Sequence, residues 1–236
     1  MKTDTEPALS HLAAPTFRGK RCVVFDFDLT LADSTEGAVQ TINAVLAVAG
    51  RPPATRDAIR RTIGRSLRET FATLTGAGED ELARLVALFR GESDKHMTPN
   101  TTLLKGAAEC VHRMKHAGLR LGIVSTKYRF RIAEILTRDG LFEEFDGIVG
   151  GDDVHVPKPD PEGLIALLER FDVPLGATVC VGDSTVDAEL AQRAGVDFVA
   201  VLTGPTTKTD FGERPVCRFV TDLLELATLV PPSVRS

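Results

Sequence analysis

The sequence lacks the features that mark several large classes of protein. It contains no run of about 18 consecutive apolar residues, so it predicts no transmembrane helix. Its first residues also lack the apolar stretch of a secretory signal peptide. The four cysteines are too far apart for a CxxC pair, so we expect neither a disulfide framework nor a cysteine metal site. Reduced thiols and the lack of a targeting segment predict a cytoplasmic protein.

An excess of basic charge is also missing. The chain has 28 lysines and arginines against 33 acidic residues, a formal net charge of −5. Such a chain is a poor general binder of polyanions, so we expect no nucleic acid partner and no membrane partner. With 43% hydrophobic and 26% charged residues over 236 positions, the sequence predicts a globular protein with a sizeable core. We expect a monomer or a homodimer.

Short apolar runs alternate with helical patterns along the chain. The runs are residues 21–26, 119–125, 147–150, 178–182 and 198–202. The main helical patterns cover residues 106–117, 129–138, 161–171, 186–194 and 222–229. Continuous apolar runs indicate strands buried on both faces, and strands alternating with helices indicate a parallel sheet. The sequence therefore predicts an α/β protein with a doubly wound, Rossmann-like core, whose ligands bind at the carboxyl ends of the strands.

One region lacks strand signals. Between residue 35 and about residue 98 the pattern is helical, with predicted helices at residues 36–48, 56–63, 66–74 and 79–89. We interpret this region as a small helical cap domain inserted after the first strand. The predicted organisation is a mobile leader at 1–19, a catalytic core at 20–33 and 101–236, and a helical cap at 34–100.

Carboxylates follow two of the predicted strands. Asp26 and Asp28 follow the first strand, and Asp183 and Asp187 follow the fourth. Each pair alone is also typical of ordinary loop or helix-capping aspartates. Four carboxylates at one sheet edge, however, would repel one another without a compensating charge. Because Mg²⁺ prefers hard oxygen ligands, the two pairs together predict a magnesium site.

Hydroxyl and ammonium groups follow the other two strands at this edge. Ser125, Thr126 and Lys127 follow the second strand, and Lys158 lies between two prolines after the third. A hydroxyl and a fixed ammonium complement a phosphate oxyanion. Together with the carboxylates, these groups indicate phosphate chemistry.

Four motifs carry a family resemblance. In order, DFDLT, VSTK, KPDP and GDSTVD resemble the motifs of the haloacid dehalogenase-like (HAD) phosphohydrolases, over residues 20 to about 202. The longer stretches DFDLTLADS, GIVSTK and VGDSTVDAELAQRAG resemble the phosphoglycolate phosphatase and pyrophosphatase-like branch. The resemblance implies a HAD core with a helical cap, Mg²⁺ as the cofactor and a small phosphorylated metabolite as the substrate.

The resemblance also implies roles for the carboxylates. Asp26 would be the nucleophile that forms an aspartyl-phosphate, and Asp28 would be the general acid and base. The Mg²⁺ ion would be held by Asp26, by the backbone carbonyl of Asp28 and by Asp183. Asp187 would complete the metal site by orienting Lys158 or a water beside the ion.

The remaining core residues are expected to bind the phosphoryl group. Ser125, with Thr126 beside it, would contact phosphoryl oxygens, and Lys158 would offset the negative charge. Thr30 would fix the loop that carries Asp28 and is grouped with the substrate-binding residues. Where the family usually has glycine, this chain has Leu29. That departure puts the fine geometry of the loop in question.

Substrate choice is expected to lie in the cap. Four arginines, at positions 60, 61, 65 and 68, surround a turn between two predicted helices. A solvated basic helix face would have the same pattern. We predict that Arg65 reaches the substrate and binds its carboxylate or second phosphate, because a guanidinium can bind either group with two hydrogen bonds.

Several reactions are compatible with this fold. We predict a Mg²⁺-dependent phosphatase for a small anionic monoester such as phosphoglycolate, with an inorganic pyrophosphatase and a sugar phosphomutase as alternatives. Asp28 argues against a dehalogenase. A phosphonatase would need a cap lysine, and residues 34–100 contain only Lys95, near the cap exit. A HAD fold serving only as an interaction module would be signalled by the loss of Asp26, Asp28 or Lys158, and all three are present.

Overall fold

The core of the molecule is a six-stranded sheet. The computed structural model describes residues 17–230. All but the last three residues of the predicted leader, 1–19, lie outside that range. Every strand pair of the sheet is parallel, and the strand order is β5-β4-β1-β6-β7-β8. These strands are β1 (Cys22–Phe25), β4 (Arg120–Val124), β5 (Gly147–Val149), β6 (Thr178–Gly182), β7 (Asp197–Val201) and β8 (Arg218–Val220).

The first apolar run forms the central strand. All four residues of β1 are buried, and β1 pairs with β4 on one side and with β6 on the other. The register places Phe25 opposite both Ile123 and Val181, so the three strands end side by side. This alignment brings the residues that follow the three strands to one edge of the sheet.

Helices cover both faces of the sheet. Val23 and Phe25 pack against one group of helices, while Cys22 and Val24 pack against the other. The first group consists of α5 (Ala107–His116), α6 (Arg129–Arg138) and α9 (Leu223–Thr228), and the second of α7 (Glu162–Phe171) and α8 (Thr185–Ala194). A parallel sheet between two helical layers confirms the predicted α/β, doubly wound fold.

Residues 35–96, called the helical segment below, contain four helices. They are α1 (Thr35–Val48), α2 (Arg56–Arg60), α3 (Leu67–Thr75) and α4 (Glu79–His96). The helices enclose their own apolar cluster, in which Val45, Ile59, Phe71 and Leu85 are fully buried. Within the described range, this cluster is separate from the two that flank the sheet.

A two-stranded antiparallel pair joins the helical segment to the core. Strands β2 (Ala32–Asp33) and β3 (Thr102–Leu103) place Asp33 directly opposite Thr102. The chain therefore leaves and re-enters the core at one place. Within residues 17–230, every helix falls short of the length and apolar character needed to span a membrane.

Some element limits differ from those that the sequence predicts. Helix α2 ends at Arg60 rather than at residue 63, and the chain turns through Gly64, whose φ of 91° lies in the region that glycine tolerates. Helix α4 continues to His96 rather than ending at residue 89, although its last turns are polar. Strand β8 was not predicted, because Val220 is its only fully buried residue and the run therefore lacks a strand signal.

Candidate active site

Four loops bring polar side chains to the carboxyl edge of the sheet. Asp26 follows β1, Ser125 follows β4 and Asp183 follows β6. The loop after β5 supplies Lys158. Because β1 lies between β4 and β6, these residues surround Asp26, which occupies the centre of the edge.

Lys158 joins two carboxylates at the centre of the site. Its Nζ atom lies 2.7 Å from Asp26 Oδ1 and 2.6 Å from Asp187 Oδ1, and the three side chains are 3% to 6% exposed. The second oxygen of Asp187 accepts hydrogen bonds from the backbone and the hydroxyl of Ser184, which cap α8. Both oxygens of Asp187 are therefore engaged, and Asp187 holds Lys158 against Asp26.

Three carboxylates form a compact buried group. One oxygen each from Asp26, Asp183 and Asp187 lies within 4.8 Å of the others. Burial is the main cause that raises the pKa of Asp183 well above its usual value, and the negative charges of Asp187 and Asp26 raise this pKa further. Burial raises the pKa of Asp26 to about 6, although Lys158 opposes this rise. Burial alone would lower the pKa of Lys158, but the two carboxylates outweigh burial and raise it.

The acidic group contains more carboxylates than ammonium groups. Three carboxylates face one ammonium group, and the hard oxygen donors are those that Mg²⁺ prefers. A divalent cation held by the group would favour the ionised forms that burial disfavours. The residues present therefore fit a divalent cation.

Asp183 is held by contacts that the sequence did not predict. Thr30, expected to fix Asp28, is fully buried, and its hydroxyl lies 3.3 Å from Asp183 Oδ1. On the other side, a Cβ atom at Gly204 would overlap the Asp183 carboxylate. Only glycine allows the loop after β7 to approach so closely. The structure therefore places Thr30 as a support for Asp183, away from any exposed surface.

Asp28 lies apart from the acidic group and pairs with Lys127. Lys127 Nζ is 2.9 Å from Asp28 Oδ1 and donates a hydrogen bond to Oδ2 at 3.1 Å. The two side chains are 3% and 9% exposed, so this is a buried ion pair. This contact was not predicted from the sequence. The sequence feature that could have indicated this contact is the position of Lys127, two residues beyond Ser125 at the end of β4, which lies next to β1.

Ser125 and Thr126 have different surroundings. Ser125 is buried, and its hydroxyl lies 3.4 Å from the backbone nitrogen of Lys127. Thr126 is half-buried, and its hydroxyl donates to the carbonyl oxygen of Gly64 at 3.3 Å. Ser125 thus stays with the core, whereas Thr126 contacts the helical segment.

Leu29 has an unusual backbone conformation. Its φ is 61°, in the left-handed region, and its side chain is 1% exposed. A non-glycine residue there costs roughly 1–2 kcal/mol, which explains why glycine is usual at this position in the family. Hydrogen bonds from the Leu29 nitrogen to the Ala32 oxygen at 2.7 Å, and from the Thr203 hydroxyl to the Leu29 oxygen at 2.5 Å, hold the loop.

The arginines of the helical segment make separate contacts. Arg60 donates to the carbonyl oxygen of Thr203 at 2.7 Å, and Arg68 pairs with Glu79. Arg65 is exposed and lies at the rim of a cavity between the helical segment and the core. Arg60, Arg61 and Arg68 do not line this cavity. Arg65 is therefore the candidate among the four arginines for contact with a ligand there.

Comparison with known proteins defines the class. A family model described as haloacid dehalogenase-like hydrolase matches residues 23–201, which include all four strand ends of the site. The chain belongs to this family, and the prediction of a hydrolytic enzyme is confirmed. The match also includes the whole helical segment.

The chain is similar to two curated proteins named phosphoglycolate phosphatase and to a solved structure of the same family. A phosphoglycolate phosphatase of Pseudomonas savastanoi is 30% identical over 89% of this chain and 80% of its own length. A phosphoglycolate phosphatase of Yersinia pseudotuberculosis is 32% identical over 80% of this chain and 83% of its own. A crystal structure described as a haloacid dehalogenase-like hydrolase from Bacteroides fragilis is 41% identical, with a TM-score of 0.85 over 88% of this chain and 99% of that one.

Proposed function

We propose that this protein is a Mg²⁺-dependent phosphatase that hydrolyses a small anionic phosphate monoester, similar to phosphoglycolate, through an aspartyl-phosphate. The observation that carries the proposal is the buried arrangement of Asp26, Lys158 and the acidic group at the centre of the sheet edge. The names of the curated relatives support the substrate class.

In the first step of the proposed reaction, Asp26 attacks the phosphorus atom. A bond forms between a carboxylate oxygen and phosphorus, and the bond to the leaving oxygen breaks. Asp28, protonated in the substrate complex, gives its proton to the leaving oxygen. The Lys158 ammonium, 2.7 Å from Asp26, offsets the charge of the nucleophile and of the phosphoryl oxygens.

In the second step, water hydrolyses the aspartyl-phosphate. Asp28 takes a proton from the water, which attacks phosphorus and restores the Asp26 carboxylate. Ser125, buried beside the site, orients a phosphoryl oxygen. Asp26, Asp183 and the backbone carbonyl of Asp28 would hold the Mg²⁺ ion, with Asp187 beside them. When bound, the ion supplies shielding between carboxylate and phosphate.

The helical segment acts as a cap in this proposal. It encloses the cavity beside Asp28 and contacts the core through Thr126 and Arg60. A closed cap excludes water from the aspartyl-phosphate until the leaving group has departed. Arg65 reaches the substrate from the rim. The Arg65 assignment fails if Arg65→Ala changes kcat/KM for the true substrate by less than about twofold.

The function is tested by phosphate release from phosphoglycolate, pyrophosphate, sugar phosphates and nucleotides, each with Mg²⁺ and with EDTA. We expect release that requires Mg²⁺ and is fastest with phosphoglycolate. A preference for pyrophosphate would establish the pyrophosphatase alternative. Conversion of one sugar phosphate into an isomer without phosphate release would establish the phosphomutase. No reaction with any substrate would reject the proposal.

The cellular setting also remains a proposal. Cys22, Cys110 and Cys180 are buried free thiols, in keeping with a reducing compartment such as the cytoplasm. The predicted partner is a small phosphorylated metabolite, with no nucleic acid and no membrane, and the predicted state is a monomer or a homodimer. Sedimentation of the purified protein at several concentrations measures that state.

A further inference from the structure

A cavity of about 110 Å³ lies between the helical segment and the core, next to Asp28. Since a cavity of ~150 Å³ accommodates the six carbons of benzene, this one holds about four or five non-hydrogen atoms. That is the size of a two-carbon leaving group. The leaving group of a hexose phosphate or a nucleotide exceeds this volume.

Two polar groups face this cavity with unused bonding capacity. The Lys127 ammonium has three protons to donate, and among residues 17–230 its one side-chain acceptor is Asp28. The Ser34 hydroxyl is 1% exposed and has no hydrogen-bond partner in the described part of the chain. Because unsatisfied buried polar groups are unfavourable, both groups favour a polar ligand between them.

The second buried cation of the cavity is already satisfied. Arg131 donates to the Ser93 hydroxyl at 2.7 Å, to the Ser93 carbonyl oxygen at 3.3 Å and to the Asp94 carboxylate. Arg131 therefore has three acceptors within the protein. Among residues 17–230, Lys127 pairs with Asp28 alone and the Ser34 hydroxyl has no partner, so both retain hydrogen-bonding capacity for a ligand.

Part of the cavity lining is apolar. It is formed by Ala38, Ile42, Ile63, Leu67, Phe89 and Met97. Hydroxyl groups buried against these side chains would lose their hydrogen bonds to water, whereas a methylene group would not. The cavity thus combines polar groups with apolar side chains, which suits a short carbon chain that ends in an anionic group.

We propose that Lys127 and Ser34 form a subsite for the non-reacting end of the substrate, which selects leaving groups that end in a small anion such as a carboxylate. This inference rests on the proposed phosphatase function. In the free protein Lys127 pairs with the Asp28 carboxylate. In the substrate complex, where Asp28 carries the proton for the leaving oxygen, the Lys127 ammonium pairs with the anionic end instead. Lys127 of the core and Ser34, the residue immediately before α1, therefore both contribute to the selectivity for a charged leaving group.

The test compares two substrates that differ in this end alone. Phosphoglycolate ends in a carboxylate, and 2-hydroxyethyl phosphate ends in a hydroxyl group. We expect the wild-type kcat/KM to favour phosphoglycolate by at least about tenfold, the effect of one hydrogen bond to a charged group. Lys127→Met should reduce this preference to near one, and Ser34→Ala should reduce it about three- to tenfold.

Thr35→Val provides a matched control. Within the described residues 17–230, the Thr35 hydroxyl is also fully buried without a hydrogen-bond partner, but Thr35 does not line the cavity. Its loss should leave the ratio of the two substrates unchanged. A purely structural role of Lys127 would lower kcat/KM for both substrates equally, so an unchanged ratio in Lys127→Met would overturn the inference. If Lys127→Met does not fold, the ratio in Ser34→Ala decides.

The wild-type protein separates this inference from the proposed function. Mg²⁺-dependent hydrolysis of both substrates at equal rates would reject the subsite while leaving the phosphatase intact. If the protein hydrolyses neither substrate and no other monoester, both the proposed function and the subsite are rejected.

Discussion

The core and the helical segment use their charged residues in different ways. At the sheet edge, Lys158 and Asp187 are buried and held by two or more partners, at distances of 2.6 to 3.2 Å. In the helical segment, every ion pair between described residues, such as Arg56 with Glu36, includes a side chain that is at least 35% exposed, so these pairs contribute little. The difference indicates that the sheet fixes the reacting groups, whereas apolar packing and a few hydrogen bonds to the core position the helices.

The largest effect is expected from the nucleophile. Asp26→Asn should lower kcat at least about 10,000-fold, because an amide cannot form the aspartyl-phosphate. The midpoint of thermal unfolding should not fall, since the change removes one charge from a crowded group. Steady-state phosphate release and calorimetry measure the two quantities. Asp57→Asn, an exposed carboxylate on α2, is the matched control and should stay within about twofold.

The next effect concerns the stability of the helical segment. Phe71 is fully buried there and packs edge-to-face on Phe89, with ring centres 6.2 Å apart. Phe71→Ala should therefore cost about 3–5 kcal/mol. Hydrogen exchange should become faster throughout residues 35–96 and remain slow in the sheet. Leu167→Ala, on the core side, is the comparison that should release sheet amides. Equal exchange in both regions after Phe71→Ala would show that they unfold as one unit.

A smaller effect is expected where the two regions meet. Arg60 donates a hydrogen bond to the carbonyl oxygen of Thr203, and the Thr203 hydroxyl donates one to the carbonyl oxygen of Leu29. Arg60→Met should reduce kcat/KM about tenfold, because the loop beside Asp183 loses its link to the helices. Arg61→Met, an exposed neighbour, should have little effect. Unchanged kinetics in Arg60→Met would show that the core positions this loop alone.

The smallest effect involves the loop that carries Lys158. Backbone hydrogen bonds from His155 and Val156 lower the pKa of Glu162 from 4.5 to about 2. Because the folded pKa is depressed, this stabilisation is present above about pH 4.5 and is lost as the pH falls toward 2. Glu162→Gln should lower the unfolding midpoint slightly at pH 7, and the difference should shrink between pH 5 and pH 3. A difference that grows on acidification would contradict this assignment.

Much of the fold was predictable because its strands are continuous apolar runs. Strands β1, β4, β5, β6 and β7 were predicted from this pattern, and parallel pairing places the residues after them at one edge. Strand β8 lacks a continuous apolar run and was not predicted. Its residues Arg218 and Phe219 remain half-exposed in the structure.

The contacts within the site were only partly predictable. The sequence brings Asp26 and Asp183 to one edge, but it does not specify where each side chain points. Lys127 therefore pairs with Asp28, and Thr30 reaches Asp183, without a distinctive sequence signal. Leu29 could be identified from the sequence as a departure, while its left-handed φ is visible only in the structure.

The β2–β3 pair has a consequence for the architecture as a whole. Asp33 and Thr102 lie opposite each other, so everything between them forms a loop whose ends are already closed. The entropy of closing such a loop grows only slowly with its length, so insertions or exchanges between these positions place little strain on the sheet. A different set of helices between the same two residues would present a new wall to the leaving group while the reacting carboxylates stay in register. The wall that faces the leaving group can therefore change while the groups that break the bond stay in place.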